Sequence, residues 1–130
     1  MSDSDQVECV DLPVAQVFQL WQQVELLPRF MRGVRRVIPV SSELSMWQTT
    51  LGGRSHTVDV LLDLCRTNDE LVWRSVGPAG FRLAVSFRAV DEGSTEVRLR
   101  VDVAADGPSC ATDLLHFKDY VEANSWRRAA

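Results

Sequence analysis

Between Val34 and Val103 the chain changes to a two-residue period and writes six strand patterns in succession, with one amphipathic segment, Ser109 to Trp126, after them. Successive side chains of a strand point to opposite faces, so this alternation gives each segment one apolar face and one polar face. The separators are Ser41-Ser42, Gly52-Gly53, Thr67-Asn68-Asp69, Gly77-Pro78-Ala79-Gly80 and Asp91-Glu92-Gly93-Ser94. They are turn-forming and too short for crossover helices, so the strands must be antiparallel neighbours. A long antiparallel sheet with one apolar face needs a cover, and the last helix supplies it. A sheet curled around a single helix leaves a hollow where ligands bind.

The strands are expected at Val34 to Val40, Leu44 to Leu51, Arg54 to Cys65, Glu70 to Val76, Phe81 to Val90 and Thr95 to Val103. A further short strand, Gln6 to Asp11, precedes them, with either Val7 and Cys9 or Glu8, Val10 and Leu12 facing in. Pro13 opens a helix in which Val14, Val17, Phe18 and Trp21 share a face, since its missing N–H is no loss in a first turn. Pro28 limits that helix, and a second short one, Glu25 to Met31, ends near Gly33. In the last helix Cys110, Leu114, Phe117 and Val121 form the stripe that should lie on the sheet.

Parity assigns the inward faces. Val58, Val60, Leu62 and Leu64 go in with His56, against Thr57, Asp59 and Asp63 outside. Phe81, Leu83, Val85, Phe87 and Ala89 go in, as do Val97, Leu99, Val101 and Val103. For the strand from Glu70 the Trp73 set, with Leu71 and Ser75, is inward because an inward Arg74 would need a buried partner. The same argument turns Trp47, Thr49 and Leu51 inward. The outer face is left with opposite charges able to pair across strands.

Composition excludes several classes. The chain has 130 residues, 45% hydrophobic and 25% charged, and a net charge of −4. It reads as one domain, residues 1–130, with a packed core and without the basic excess of a nucleic-acid binder. Three widely spaced cysteines, Cys9, Cys65 and Cys110, show no ligand spacing, which implies reduced thiols and a cytoplasmic setting. No signal peptide or membrane-spanning run is evident. No zinc signature, phosphate loop or Ser/His/Asp motif is present either, so cofactor-free and metal-free action is expected.

A family resemblance rests on Val17-Phe18-Gln19-Leu20-Trp21, Leu27-Pro28-Arg29-Phe30-Met31, Val34, Leu51-Gly52-Gly53-Arg54, Val72-Trp73-Arg74-Ser75-Val76-Gly77, Phe87, Thr95-Glu96-Val97 and Phe117-Lys118. With these motifs the chain resembles the bacterial polyketide cyclase/dehydrase group of the START-like, Bet v 1-like helix-grip superfamily. The resemblance implies an α+β helix-grip fold: a seven-stranded antiparallel sheet wrapped around a C-terminal helix, with two short helices after the first strand. It also implies a hydrophobic cavity for a polyketide, quinone or lipid, in enzymes and in plain carriers alike. The chain departs from the group in two ways. The segment between Val103 and Asp113 looks short, and His56 stands where relatives usually carry an apolar residue.

His56 therefore has two readings. It is either a general acid/base projecting into a water-poor cavity, where cyclisation or dehydration needs a group that titrates near neutrality, or a wet residue at the sheet rim. Trp47, Trp73, Ser75, Phe87, Phe117 and Tyr120 are the expected ligand lining, with Phe81 beside them, although aromatic residues also dominate ordinary cores. His116 falls on the outward side of the last helix. The leading expectation is a cyclase or dehydratase acting on a polyketide-like intermediate. The alternatives are a non-catalytic carrier of a lipid or quinone, or a protein-interaction module.

Overall fold

The computed structural model describes residues 2–31, 33–51, 54–77, 80–103 and 113–123. Seven antiparallel strands form one open sheet: β1 (Ser2–Val10), β2 (Val34–Pro39), β3 (Leu44–Leu51), β4 (Arg54–Arg66), β5 (Glu70–Ser75), β6 (Phe81–Asp91) and β7 (Ser94–Val103). Their order is β1-β7-β6-β5-β4-β3-β2, so five hairpins run in chain order and β1 joins the far side beside β7. Between β1 and β2 come helix α1 (Val14–Gln22) and a 3-10 helix (Val24–Arg29). Helix α2 (Asp113–Ala123) follows β7. This is the expected helix-grip architecture. The expected first turn of the last helix, with Cys110, and its end at Trp126 lie outside the described residues.

Local chemistry sets the boundaries of α1. The Pro13 carbonyl accepts from the N–H groups of Gln16 and Val17 at 3.0 and 3.1 Å, closing the first turn. The helical spacing then buries Val17, Phe18 and Trp21. At the start of α2 the Leu114 N–H, which has no intrahelical acceptor, donates to the Gln6 side-chain carbonyl of β1 at 3.1 Å. Lys118 reaches Glu8 of the same strand at 3.7 Å. These contacts hold α2 along the β1–β7 side of the sheet, with Leu114, Phe117 and Val121 buried. Gln6, Glu8 and Val10 thus form the inner face of β1, and Val7 and Cys9 are exposed.

Most inner faces match their parity. Ser45, Trp47 and Thr49 of β3, Leu71, Trp73 and Ser75 of β5, Phe81, Leu83, Val85 and Phe87 of β6, and Val97, Leu99 and Val101 of β7 are buried. Two expectations are corrected. In β4 the register shifts between Leu62 and Leu64, so that Cys65 and not Leu64 stands opposite Leu71. The extra residue of a bulge moves every later side chain to the other face. Ala89 is exposed, close to a second register shift between Ala89 and Asp91.

Two hydroxyls tie strand ends to the core. Thr95 Oγ1 donates to the Leu12 carbonyl at 2.7 Å, joining β7 to the loop before α1. Ser75 Oγ accepts from the Phe81 N–H at 2.7 Å and donates to the Phe81 carbonyl at 3.3 Å, clamping the β5–β6 connection. The clamp requires Gly80, where a Cβ would stand 2.7 Å from Ser75 Oγ.

On the outer face Arg98 binds Asp5 through two bonds of 2.9 and 2.7 Å, and Arg88 binds Glu96 at 2.7 Å. The hydrogen bonds from Arg98 and Arg88 hold the Asp5 and Glu96 carboxyls below the usual carboxylate range.

Two outcomes follow for stability. Thr95→Val strands the buried Leu12 carbonyl and should cost about 1–3 kcal/mol, measured by urea unfolding. Asp5 and Glu96 titrate lower when folded, so their contribution is present above the unfolded carboxylate pKa and is lost as pH falls through the lowered folded values. The melting temperature should therefore fall less between about pH 5 and pH 3 in an Arg88→Gln/Arg98→Gln variant than in the wild type. About 1 M salt should flatten the wild-type profile in the same way.

Candidate ligand cleft

The interior of the grip is filled by aromatic side chains in separate groups. Trp21 of α1, Phe30 after the 3-10 helix and Phe117 of α2 pack mutually with ring centroids 4.9–5.0 Å apart. Phe18 meets Phe87 edge to face at 5.7 Å. Trp47, Trp73 and Phe81 line up along β3, β5 and β6, with Trp47 6.2 Å from Trp73 and 5.6 Å from Phe81.

Beside the last group lies a cleft of about 220 Å³. One wall is the junction of α1 with the 3-10 helix, at Gln22, Val24 and Glu25. The other is the β2–β3 turn, from Pro39 through Ser41, Ser42, Glu43 and Leu44 to Ser45. Leu62, Leu71 and Trp73 make the floor. The turn is fixed from within, because Ser41 Oγ accepts from the N–H groups of Glu43 and Leu44 at 3.3 and 3.1 Å. It is also fixed to the sheet, because the Leu62 N–H donates to the Glu43 carbonyl at 2.7 Å. Leu62 and Val24 are only half-buried, which leaves apolar surface facing the cleft. A dry apolar cavity of about 150 Å³ accepts benzene, so this cleft has room for about one or two fused rings.

Of the expected lining residues, only Trp73 borders this cleft. Trp47 is fully buried behind it and donates its indole N–H to Ser45 Oγ at 2.7 Å. The Ser75 hydroxyl is spent on Phe81. Phe87 and Phe117 are consumed in packing with Phe18 and with Trp21 and Phe30. Tyr120, half-buried and 5.9 Å from Phe30, borders a different cleft of about 350 Å³ between the 3-10 helix and α2, with Pro28, Arg29, Phe30, His116 and Asp119. His116 is thus half-buried there and not on the open surface.

His56 has the expected parity, directly opposite the fully buried Thr49, but its side chain is exposed. The enclosed placement is corrected: His56 lies near the beginning of β4, two residues before the first half-buried position, Val58. From His56 to Leu62 is six residues of extended chain, about 20 Å. The histidine and the cleft are therefore at different ends of the strand.

Among the described residues the buried polar side chains are Ser45, Thr49, Ser75 and Thr95, and none of them titrates near neutrality. Thr49 Oγ1 and Trp21 Nε1 are buried without a hydrogen-bond partner. No group of three His, Cys, Asp or Glu among the described residues could hold a metal ion, and no described helix is long and apolar enough to cross a membrane.

Sequence reasoning missed Ser45, Gln22 and the β2–β3 turn as lining. The available signal was a serine two residues before a tryptophan on the inward parity of β3, close enough to share a hydrogen bond.

Comparison with known proteins gives a consistent picture. The family described as polyketide cyclase/dehydrase and lipid transport matches residues 10–122. An uncharacterised 17.2 kDa protein of Streptomyces lincolnensis is 26% identical over 139 residues, covering 92% of this chain and 93% of that one. A crystal structure from Deinococcus radiodurans superposes with a TM-score of 0.80 at 21% identity, covering 95% of this chain and 99% of its own. The Zhui aromatase/cyclase of a Streptomyces species superposes with a TM-score of 0.65 at 14% identity, covering 95% and 86%. At these identities the superpositions establish the fold.

The Ser45–Trp47 bond is testable through its asymmetry. Ser45→Ala leaves a buried indole N–H without its acceptor and should destabilise by about 1–3 kcal/mol, whereas the same substitution made in a Trp47→Phe background should cost clearly less in urea unfolding.

Proposed function

Because the chain belongs to the polyketide cyclase/dehydrase and lipid transport family, we propose that it binds a small, ring-containing apolar molecule of polyketide type in the cleft between the α1 junction and the β2–β3 turn. The observation that carries this reading is a cleft with an apolar floor, Leu62, Leu71 and Trp73, walled by two fixed elements. Leucine side chains and an indole face suit planar hydrocarbon. The polar groups at the edge suit a molecule bearing oxygen at one end.

Within this reading the protein acts as a carrier. Among the described residues no histidine, lysine or arginine borders the cleft, and its two carboxylates, Glu25 and Glu43, stand exposed at its rim. The second reading, a cyclase or dehydratase with His56 as acid/base, draws support from the family description and from the inner-face register of His56 opposite Thr49. It requires the substrate to reach the other end of β4.

Mass spectrometry of the denatured, freshly purified protein should reveal a co-purified ring compound under the carrier reading. Titration with 1-tetralone should quench tryptophan fluorescence, and Trp73→Phe should remove most of the quench. Leu62→Trp, which fills the cleft, should abolish binding with the circular dichroism spectrum retained. His56→Ala should leave the affinity for 1-tetralone within about twofold; loss of binding in that variant would move the site to the His56 end.

A further inference from the structure

Ser45 is unlike the other polar residues around the cleft. The hydroxyl of Ser41 is engaged in its own turn, and Ser42 and Glu43 are exposed. Ser45 is buried, with 5% of its surface exposed, yet borders the cleft. A hydroxyl offers one donor and two acceptor sites. One acceptor site of Ser45 is taken by the Trp47 indole N–H at 2.7 Å, and that is the only hydrogen bond its side chain makes among the described residues. The alternation of β3 places the two side chains on one face, so the serine is held by a fixed aromatic neighbour. An accepted bond also polarises a hydroxyl and strengthens it as a donor.

The rim adds a second selection. Glu25 and Glu43 stand on opposite walls, and among the described residues the lining holds no cationic side chain. An anionic ligand would have to approach two carboxylates without a counter-charge.

We propose that Ser45 is the specificity-determining donor of the cleft, giving its O–H to a carbonyl or other acceptor oxygen of an uncharged ring compound, and that Glu25 and Glu43 exclude carboxylate-bearing analogues. This rests on the cleft being the ligand site. It also narrows the ligand class to neutral aryl ketones and related oxygenated ring systems. A free aromatic acid is the wrong ligand.

The experiment compares three probes, 1-tetralone, tetralin and 2-naphthoate, by tryptophan quenching and calorimetry on the full chain. Wild-type protein should prefer the ketone over tetralin by about five- to tenfold, the worth of one net hydrogen bond. The Ser45→Ala/Trp47→Phe variant, used once its circular dichroism spectrum matches the wild type, should bind the two equally. Trp47→Phe alone keeps the hydroxyl and should keep a preference. Glu25→Gln/Glu43→Gln should tighten 2-naphthoate by about fivefold relative to 1-tetralone.

A ketone preference that survives in the double variant would overturn the role of Ser45. So would equal wild-type binding of ketone and hydrocarbon, with the cleft still standing as the site. An unchanged 2-naphthoate affinity in the glutamine variant would overturn the role of the rim. Failure of all three probes to bind the wild type would remove the cleft reading itself, and this proposal with it.

Discussion

The contact of Trp21, Phe30 and Phe117 is the constraint on which the rest of the molecule depends. A seven-stranded sheet with one apolar face must be covered, and here the cover is made of α1, a 3-10 helix and α2. Each is too short to be stable alone in water. The three rings come from α1, from the residue that follows the 3-10 helix and from α2, and meet with centroids no more than 5.0 Å apart. Burying a large apolar side chain contributes about 1.5–3 kcal/mol. The triad therefore supplies much of what holds the covering elements to one another, while Phe18 on Phe87 and Gln6 on Leu114 fasten them to the sheet.

That solution determines where space remains. With the interior near α2 occupied by rings packed edge-on and tilted, the apolar cleft opens where the covering elements change direction, between α1 and the 3-10 helix. The β2–β3 turn closes over that junction because Ser41 organises it and Leu62 anchors it to β4. Under the proposed reading a ligand entering there would meet the floor of the sheet at Trp73, which is not part of the triad. The proposed site is thus lined from β3, β4, β5, the β2–β3 turn and the α1 junction, and α2 contributes no residue to it.

The sequence made most of the sheet legible because alternation is local. Val97, Leu99 and Val101 must share a face whatever they pair with, and the cost of burying Arg74 was enough to turn Trp73 inward. Pairing was not legible. The register shift at Leu62 and Leu64 is a relation between β4 and β5, and it puts the exposed Cys65, instead of Leu64, in register with Leu71. Parity likewise places His56 on the correct side of β4 but says nothing of how far the covering elements extend, and they leave that side chain exposed. Aromatic content announced a lining, whereas the rings divide between core and cleft according to partners distant in sequence. Trp47 proved to be the support for Ser45, and Tyr120 belongs to another cleft altogether. The one local signal for Ser45 was its place on the inward parity of β3, two residues before Trp47, and the polar residues of the β2–β3 turn carried none.

The most direct test is the map of backbone amide shifts in a heteronuclear NMR spectrum as 1-tetralone is added to the isotope-labelled protein. The account predicts perturbations concentrated at Val24, Leu44, Ser45, Leu62, Leu71 and Trp73, with Thr49, Ser55 and His56 unmoved. Perturbations centred on Thr49 and His56, with the β2–β3 turn silent, would contradict it.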